Sequence, residues 1–431
     1  MDKYSVLQKG MDISMIDRFR FNDARDWFQK KRFGMFVHWG LYSIPAWHEQ
    51  ILWRGKMPRK DYEPLAQQFN PVKFNPDEWI DVMEEAGMEY VCLTSKHHDG
   101  FCLWDSKYTD YNIMNTPYGK DIVKMLSDAC GRRGKGFGLY YSIPDWHQRN
   151  YPNQGRHHEM RGPRPGDDPD YNKYVSYMEN QVTELMTNYG EINQLFWDIN
   201  VIGYNNRQFN DDMRRLQPSM VINDRGPDNG DFRTPERSVP EGMEFSQMTE
   251  AVQSLGRESW GFKLDEDYYN NRFLMESIDR VMAMGGNYQL NVGPRADGMI
   301  DERDVQILRT IGGWYKRVRE AFDDTVPATS MITQYNPEMR DPVLLTRKNN
   351  TIYVHLYQGT ATDAIILRPF DTMPRSATLL NNGMQLECSV DMCPSMFRDG
   401  RAYLRIRRLP TNEITNEVLI IKLEFDDKWC E

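Results

Sequence analysis

The chain has 431 residues, 40% of them apolar, and a formal net charge of −10. That apolar share suits a large folded core and excludes a disordered chain, while the acidic balance argues against a nucleic acid or an anionic membrane as partner. No run of about 18 apolar residues occurs and the first residues lack an apolar stretch of signal-peptide length, so no membrane helix is predicted and a cytoplasmic location is expected.

Residues 1–32 are polar and aromatic and read as a lead-in helix around the body of the protein. Phe33 to Gly40 is the first strand candidate, and it ends in His38 and Trp39. The connection 41–72 is long and carries Trp47, Glu49 and Trp53; connections of that length are commonly functional. Asn75 to Gly87 is predicted as a helix. Asn75 caps it, Pro76 suits the first turn, Glu78 completes a capping-box spacing and Gly87 stops it. Trp79, Ile80, Met83 and Ala86 fall on one face.

Tyr90-Val91-Cys92-Leu93 reads as a strand buried on both sides, as in a parallel sheet. It runs out into Lys96-His97-His98-Asp99-Gly100. Ile122 to Cys130 repeats a helical face, and Gly136 to Ser142 is a third strand that exits to Asp145-Trp146-His147. Residues 148–168 form a loop, and Tyr171 to Tyr189 a long helix. Leu195 to Asp198 is a strand exiting to an acid, and Val221 to Arg225 one exiting to a base. Residues 226–266 show little periodicity. Phe273 to Met282 marks another helix, Asn287 to Val292 a strand leading into a Gly293–Gly298 turn, and Asp301 to Phe322 a last helix. That turn lacks the Gly-Lys-Ser/Thr ending of a phosphate loop, so it reads as structural.

Alternating strands and helices predict an α/β fold, a (β/α)8-like barrel over 1–324, with six or seven strands evident. The eighth must lie in 240–262, where Phe245-Ser246-Gln247-Met248 is a weak candidate. After 325 the pattern becomes all-β. Thr351 to Tyr357 follows an Asn-Asn turn, Asn382-Gly383 and Asp399-Gly400 signal hairpins, Arg401 to Arg407 alternates, and Val418 to Leu423 is a terminal strand. Residues 325–431 are therefore expected to form a β-sandwich.

In such a barrel the loops after the strands build the site. Asp198 and Arg225 end strands there. Glu236, Glu250 and Glu258 lie in the non-periodic stretch beyond. Glycoside hydrolysis needs two carboxylates from different loops, and these are the available acids, each of which also reads as an ordinary surface or capping residue. The 11 Trp and 23 Tyr suit sugar rings and equally a large aromatic core. His38, His97 and His98 read as hydrogen-bonding groups rather than metal ligands. Neighbouring strand residues face opposite ways, and no His-x-His or HExxH pattern is present. Of the six cysteines none is in CxxC spacing; Cys92 and Cys130 read as core residues, Cys388 and Cys393 as free thiols. No metal and no cofactor are expected.

Taken together, Arg32–Gly40, Lys96–Phe101, Phe137–Ser142, Phe196–Asp198, Asn223–Arg225, Ser259–Gly261 and Asn287–Pro294 resemble, in order, the α-L-fucosidases of glycoside hydrolase family 29. The resemblance covers about residues 25 to 300, and less specifically the β domain. It implies a retaining exo-α-L-fucosidase acting on fucosylated glycans through a covalent fucosyl-enzyme. Asp198 would be the nucleophile and Glu236 the acid/base, with Glu250 the second choice. His38, Glu49, His97, His98, Tyr141, Arg225 and Trp260 would bind substrate. Three departures flank the pocket: Glu49-Gln50 in place of Glu-Trp, Phe196-Trp197 in reversed order, and Gly226-Pro227 after Arg225 in place of Trp-Gly. They bear on leaving-group preference. A silent fucose- or galactose-binding protein, or a retaining glycosidase for a similar sugar, are the alternatives. A homo-oligomer is expected on general grounds.

Overall fold

The computed structural model of the chain describes residues 20–332, 342–392 and 400–426. Its centre is a seven-stranded, all-parallel sheet. The strands are β1 (Phe33–Val37), β2 (Tyr90–Lys96), β3 (Gly136–Ser142), β4 (Gln194–Asp198), β5 (Val221–Ile222), β6 (Glu250–Ser254) and β7 (Asn287–Val292). Their order is β5-β4-β3-β2-β1-β7-β6. β1 and β7 are neighbours, so the sheet curls back on itself. The remaining gap, between β5 and β6, is crossed by residues 232–236. Phe232 bridges to Asn223 beside β5, and Arg233 and Glu236 bridge to Thr249 and Val252 on the β6 side. An irregular stave, rather than a strand at Phe245–Met248, thus closes the barrel. The strand in 240–262 is β6, a little later than expected.

Alternation along the strands sorts side chains into two cores. Outward residues meet the surrounding helices in one large cluster that includes Val37, Leu93, Tyr141 and Trp197. Inward residues stack in layers. The lowest holds Tyr90, Gln194 and Glu250. Gly34 leaves the room there, since a Cβ on it would lie 2.4 Å from the Tyr90 ring. Above them Phe36, Cys92, Tyr140, Phe196 and Val252 form a separate apolar cluster. The register explains the sorting: Tyr140 pairs with Phe196 and Ser142 with Asp198, so these share the inner face.

The helices run as the apolar spacing predicts. The helix Pro76–Glu85 has Asn75 Oδ1 accepting from the Asp77 amide at 3.1 Å. Tyr171–Asn188 and Glu302–Val318 fall within their expected ranges. Arg207–Leu216 is a helix without a clear apolar signal, because it buries only Phe209, Asn210 and Met213. Within 1–32, residues 1–19 lie outside the described part, and 24–30 are two short helical turns.

Beyond the helix Glu302–Val318 the chain forms two antiparallel sheets. One has five strands, in the order β12-β15-β10-β9-β8, and one has three, β11-β14-β13. These are β8 (Val326–Pro327), β9 (Leu344–Lys348), β10 (Thr351–Leu356), β11 (Ala364–Leu367), β12 (Ser376–Leu379), β13 (Glu387–Asp391), β14 (Tyr403–Arg407) and β15 (Leu419–Glu424). Their facing sides share one apolar core that includes Leu345, Val354, Leu367, Leu404 and Ile421, which is a sandwich. The Asn349-Asn350 and Asn382-Gly383 turns are present, with Asn349 and Gly383 at positive φ as such turns require. Cys393 and Asp399 lie outside the described residues. Cys92, Cys102, Cys130 and Cys388 are free thiols.

The sandwich is joined to the barrel through buried polar contacts. His355 of β10 bonds Asp279 of the helix Asn271–Ala283 at 2.7 Å, both fully buried. The Trp314 indole donates to the Val418 carbonyl at 3.0 Å.

Candidate active site

Above the inner apolar layer, at the carboxyl ends of the strands, lies a cavity of about 310 Å³. That is the position and size expected of a small-ligand site in this architecture. His38, Glu49, His97, His98, Asp198, Arg225, Glu236 and Trp260 all line it. These come from segments as distant in sequence as β1 and the loop after β6, and the barrel brings them to one rim.

Asp198 is the inner-facing last residue of β4, its side chain only 10% exposed. Three groups hold it. Arg225 Nη1 donates to Oδ1 at 2.8 Å, the Tyr140 hydroxyl donates to Oδ2 at 2.7 Å, and His98 Nε2 is 3.7 Å from Oδ2. Burial alone would raise its pKa. The Arg225 charge, His98 and the Tyr140 hydrogen bond outweigh it and hold the carboxyl below its ordinary range. Asp198 is therefore an anion at neutral pH, fixed in one orientation.

Arg225 also reaches Glu236, with Nη2 at 2.9 Å from Oε2. One guanidinium thus spans both carboxylates, and the Thr234 hydroxyl and carbonyl accept its remaining donors. Glu236 sits on the irregular barrel-closing stave and is 39% exposed, at the mouth rather than the floor.

His38 and His98 are neutral imidazoles. Burial pushes His38 and His98 down to about 4. His38 Nδ1 is bonded to Asn291 Oδ1 at 2.6 Å, and its ring stacks on Trp260 with centroids 5.3 Å apart. Glu49 Oε2 accepts from the Ser259 hydroxyl at 2.8 Å and the Trp260 amide at 2.9 Å. Two buried atoms of the wall, Glu49 Oε1 and His97 Nδ1, have no hydrogen-bond partner among the described residues. Unpaired buried polar atoms are costly, so a ligand bearing hydroxyls is the natural complement. Phe36, Phe196, Val252 and Trp260 supply an apolar wall beside them.

Two expectations are corrected. Tyr141 does not face the cavity. Its hydroxyl donates to Gln181 at 2.7 Å on the helix side, with Lys96 Nζ 4.4 Å from its ring centre. Tyr140 takes the place assigned to it, because one step along a strand reverses the face. Tyr140→Phe is expected to lower kcat/KM about ten- to a hundredfold, through loss of a hydrogen bond to a charged group. It should also move the acid limb of the profile upward, as Asp198 loses a donor; Tyr141→Phe should leave that limb in place. Matching acid limbs in the two variants would reverse the assignment.

Glu250 is the second correction. It begins β6 in the lowest layer, fully buried, bonded to the Tyr90 hydroxyl and, at 2.6 Å, to Gln194 Nε2. It does not line the cavity, so it is no candidate for acid/base. Burial raises its pKa from 4.5 to about 8, against the two hydrogen bonds. Between those values the unfolded chain is ionised there and the folded chain is not. Its contribution to stability is thus full below 4.5 and lost as pH climbs through about 8. Relative to wild type, Glu250→Gln should gain stability between pH 5 and pH 8 by about 1.4 kcal/mol per pH unit. Urea unfolding across that range checks this, and parallel curves for the two proteins would refute it.

Several wall residues carry no sequence signal. His157 and His158 come from the 148–168 loop, where nothing in the spacing points inward. Phe36, Tyr140, Phe196 and Val252 could have been found by parity, given Asp198 inside. Arg54 and Arg237 complete the mouth. Among the described residues no group of three or more His, Cys, Asp or Glu could hold a metal ion, and no helix is long and apolar enough to cross a membrane.

Comparison with known proteins identifies the family. The family model described as Alpha-L-fucosidase matches residues 14–320. Tissue alpha-L-fucosidase of Bos taurus is 27% identical over 409 residues, 86% of this chain and 82% of its own length. Alpha-L-fucosidase isoenzyme 1 of Paenibacillus thiaminolyticus superposes with a TM-score of 0.82 at 32% identity, covering 94% of this chain and 99% of that one. An alpha-L-fucosidase of Bacteroides thetaiotaomicron, trapped as a covalent intermediate in complex with 2-fluoro-fucosyl fluoride, superposes at 0.76 with 25% identity, covering 92% and 94%. With the family model spanning most of the chain and the fold matching over nearly all of it, this protein belongs to the α-L-fucosidase family, GH29.

Proposed function

We propose that the chain is a retaining exo-α-L-fucosidase in which Asp198 is the nucleophile and Glu236 the acid/base. The observation that carries this is the state of Asp198: ionised, anchored by Tyr140 and Arg225, and facing a cavity whose wall holds unpaired hydrogen-bonding atoms. A terminal fucose fits the chemistry of that wall. Imidazoles and Glu49 meet ring hydroxyls, and Phe36, Phe196 and Trp260 meet the C5 methyl.

The reaction then runs in two displacements. Asp198 attacks the anomeric carbon while Glu236 gives its proton to the departing glycosidic oxygen. The product is a fucosyl ester on Asp198 with inverted configuration. Glu236, now a carboxylate, takes a proton from water, which attacks the same carbon and frees Asp198. Two inversions restore the α configuration. Arg225 faces both carboxylates with a single positive charge. Asp198, held by three partners, keeps the anion. Glu236, at the mouth, is the one within reach of the leaving oxygen.

The structural relative trapped with 2-fluoro-fucosyl fluoride supports the same route here. The test is to incubate this protein with that reagent, digest it and sequence the labelled peptide. Label on Asp198 is expected. Label on another carboxylate would move the nucleophile, and inactivation without covalent label would remove the retaining mechanism.

A further inference from the structure

The catalytic cavity opens sideways into a groove of about 500 Å³ lined by Trp47, His48, Trp53, Arg54, Glu258 and Lys263. His48, Arg54 and Glu258 also line the cavity, so the groove begins where the leaving group must exit. Two loops form it, joined where the Leu264 amide donates to the Ala46 carbonyl at 2.9 Å. Trp47 is 45% exposed and Leu264 81%, a wide apolar platform at a site rim. The Trp53 ring is already stacked on His158, centroids 5.0 Å apart, so Trp47 is the aromatic face left for a ligand.

Cations gather at the outer edge of this mouth. The protein carries −10 overall, yet Arg54, Arg237 and Lys263 cluster here. Among the described residues none of the three makes an ion pair. Arg54 Nε donates to Gln50 Oε1 at 2.9 Å, and Lys263 Nζ meets only the Asp265 carbonyl. Arg237 lies over the Trp260 ring at 4.4 Å, held by the carbonyls of Gly256 and Arg257, and its buried Nη2 has no partner among the described residues. Arg225, by contrast, is saturated by Asp198 and Glu236. Among the described residues Glu258 is the single acid lining the groove. Three cations with unused donors beside an exposed tryptophan match a sugar ring that bears a negative substituent.

We infer that the leaving-group side of the site takes an anionic saccharide, its ring on Trp47 and its sulfate ester or carboxylate facing Arg54, Lys263 and Arg237. This rests on the fucosidase reading and specifies its substrate class. Direct approach of a sulfate or carboxylate to these donors forms charge-assisted hydrogen bonds that a neutral glycan cannot make.

The test compares kcat/KM for four substrates: an aryl α-L-fucoside, a neutral fucosyl disaccharide, and the same disaccharide with a sulfate ester or with a uronic acid as the second sugar. At low salt the anionic substrates should be favoured over the neutral one by roughly tenfold, and the preference should shrink as 0.5 M salt screens it. In Arg54→Gln/Lys263→Gln the ratio of anionic to neutral should fall to near one at every salt concentration. Preference for the sulfate alone or for the carboxylate alone supports the inference and identifies the substituent. An anionic-to-neutral ratio at or below one in wild type, with the aryl fucoside and neutral disaccharide both cleaved, overturns it. So does a preference that survives the double variant. Failure to cleave any of the four, the aryl fucoside included, would instead remove the fucosidase reading on which it stands.

Discussion

Asp198→Gly is expected to lower kcat/KM for an aryl α-L-fucoside by on the order of 10⁴-fold or more, and added azide is expected to restore turnover with β-fucosyl azide as product. The reason is that the carboxylate forms the bond that divides one difficult displacement into two, and without it no group in the cavity occupies that position. Glycine leaves a void on the face of the sugar that Asp198 attacked. Azide can enter it from solvent and make a single inversion, which gives the β product. The same void frees Tyr140 and Arg225, both of which point at the vacated place and can hold a small anion there. An azide-independent variant with near wild-type rate would mean that another residue is the nucleophile. Rescue yielding the α-azide would mean that the chemistry is not a direct displacement from that face.

Glu236→Gly should split substrates by leaving group. General acid catalysis contributes about 10²–10⁴-fold, and only where the departing oxygen needs a proton. A fucosyl disaccharide should therefore lose about that factor. A dinitrophenyl fucoside should form the covalent intermediate at nearly the normal rate and then accumulate it, because the base for the second step is missing. The accumulated ester is visible as a burst of phenolate. Glu258, exposed and also at the mouth, is the comparison. If Glu258→Gly shows the substrate split and Glu236→Gly does not, the proton donor is Glu258 and the nucleophile assignment is untouched.

Much of this site was legible before folding was considered, for a physical reason. Residues that end a buried parallel strand must emerge at the same rim of the barrel, so His38, His97, His98 and Asp198 declare themselves by following an apolar run. Parity also separates Tyr140 from Tyr141. With Asp198 inside, the β3–β4 register puts Tyr140, not Tyr141, beside it. Glu250 misled because the stretch around it shows no period from which a buried strand could be read. Only the layering shows it level with Gln194, four residues before Asp198 on β4, at the closed end of the barrel. The helix Arg207–Leu216 gave no signal because so little of it is buried, and His157 and His158 gave none because a loop has no period to read.

The barrel-closing stave has a consequence for how such a protein diverges. The proposed nucleophile, Asp198, rides on β4, whose register with β3 is fixed over five residue pairs, so an insertion there would turn its side chain out of the cavity. The stave bearing Glu236 is attached by isolated bridges at Phe232, Arg233 and Glu236. It can lengthen, shorten or reroute without unzipping a ladder. Over evolutionary time a carboxylate at the place of Glu236 is therefore free to shift its position in the sequence, and with it the aglycones that fit, while the aspartate on β4 stays where it is.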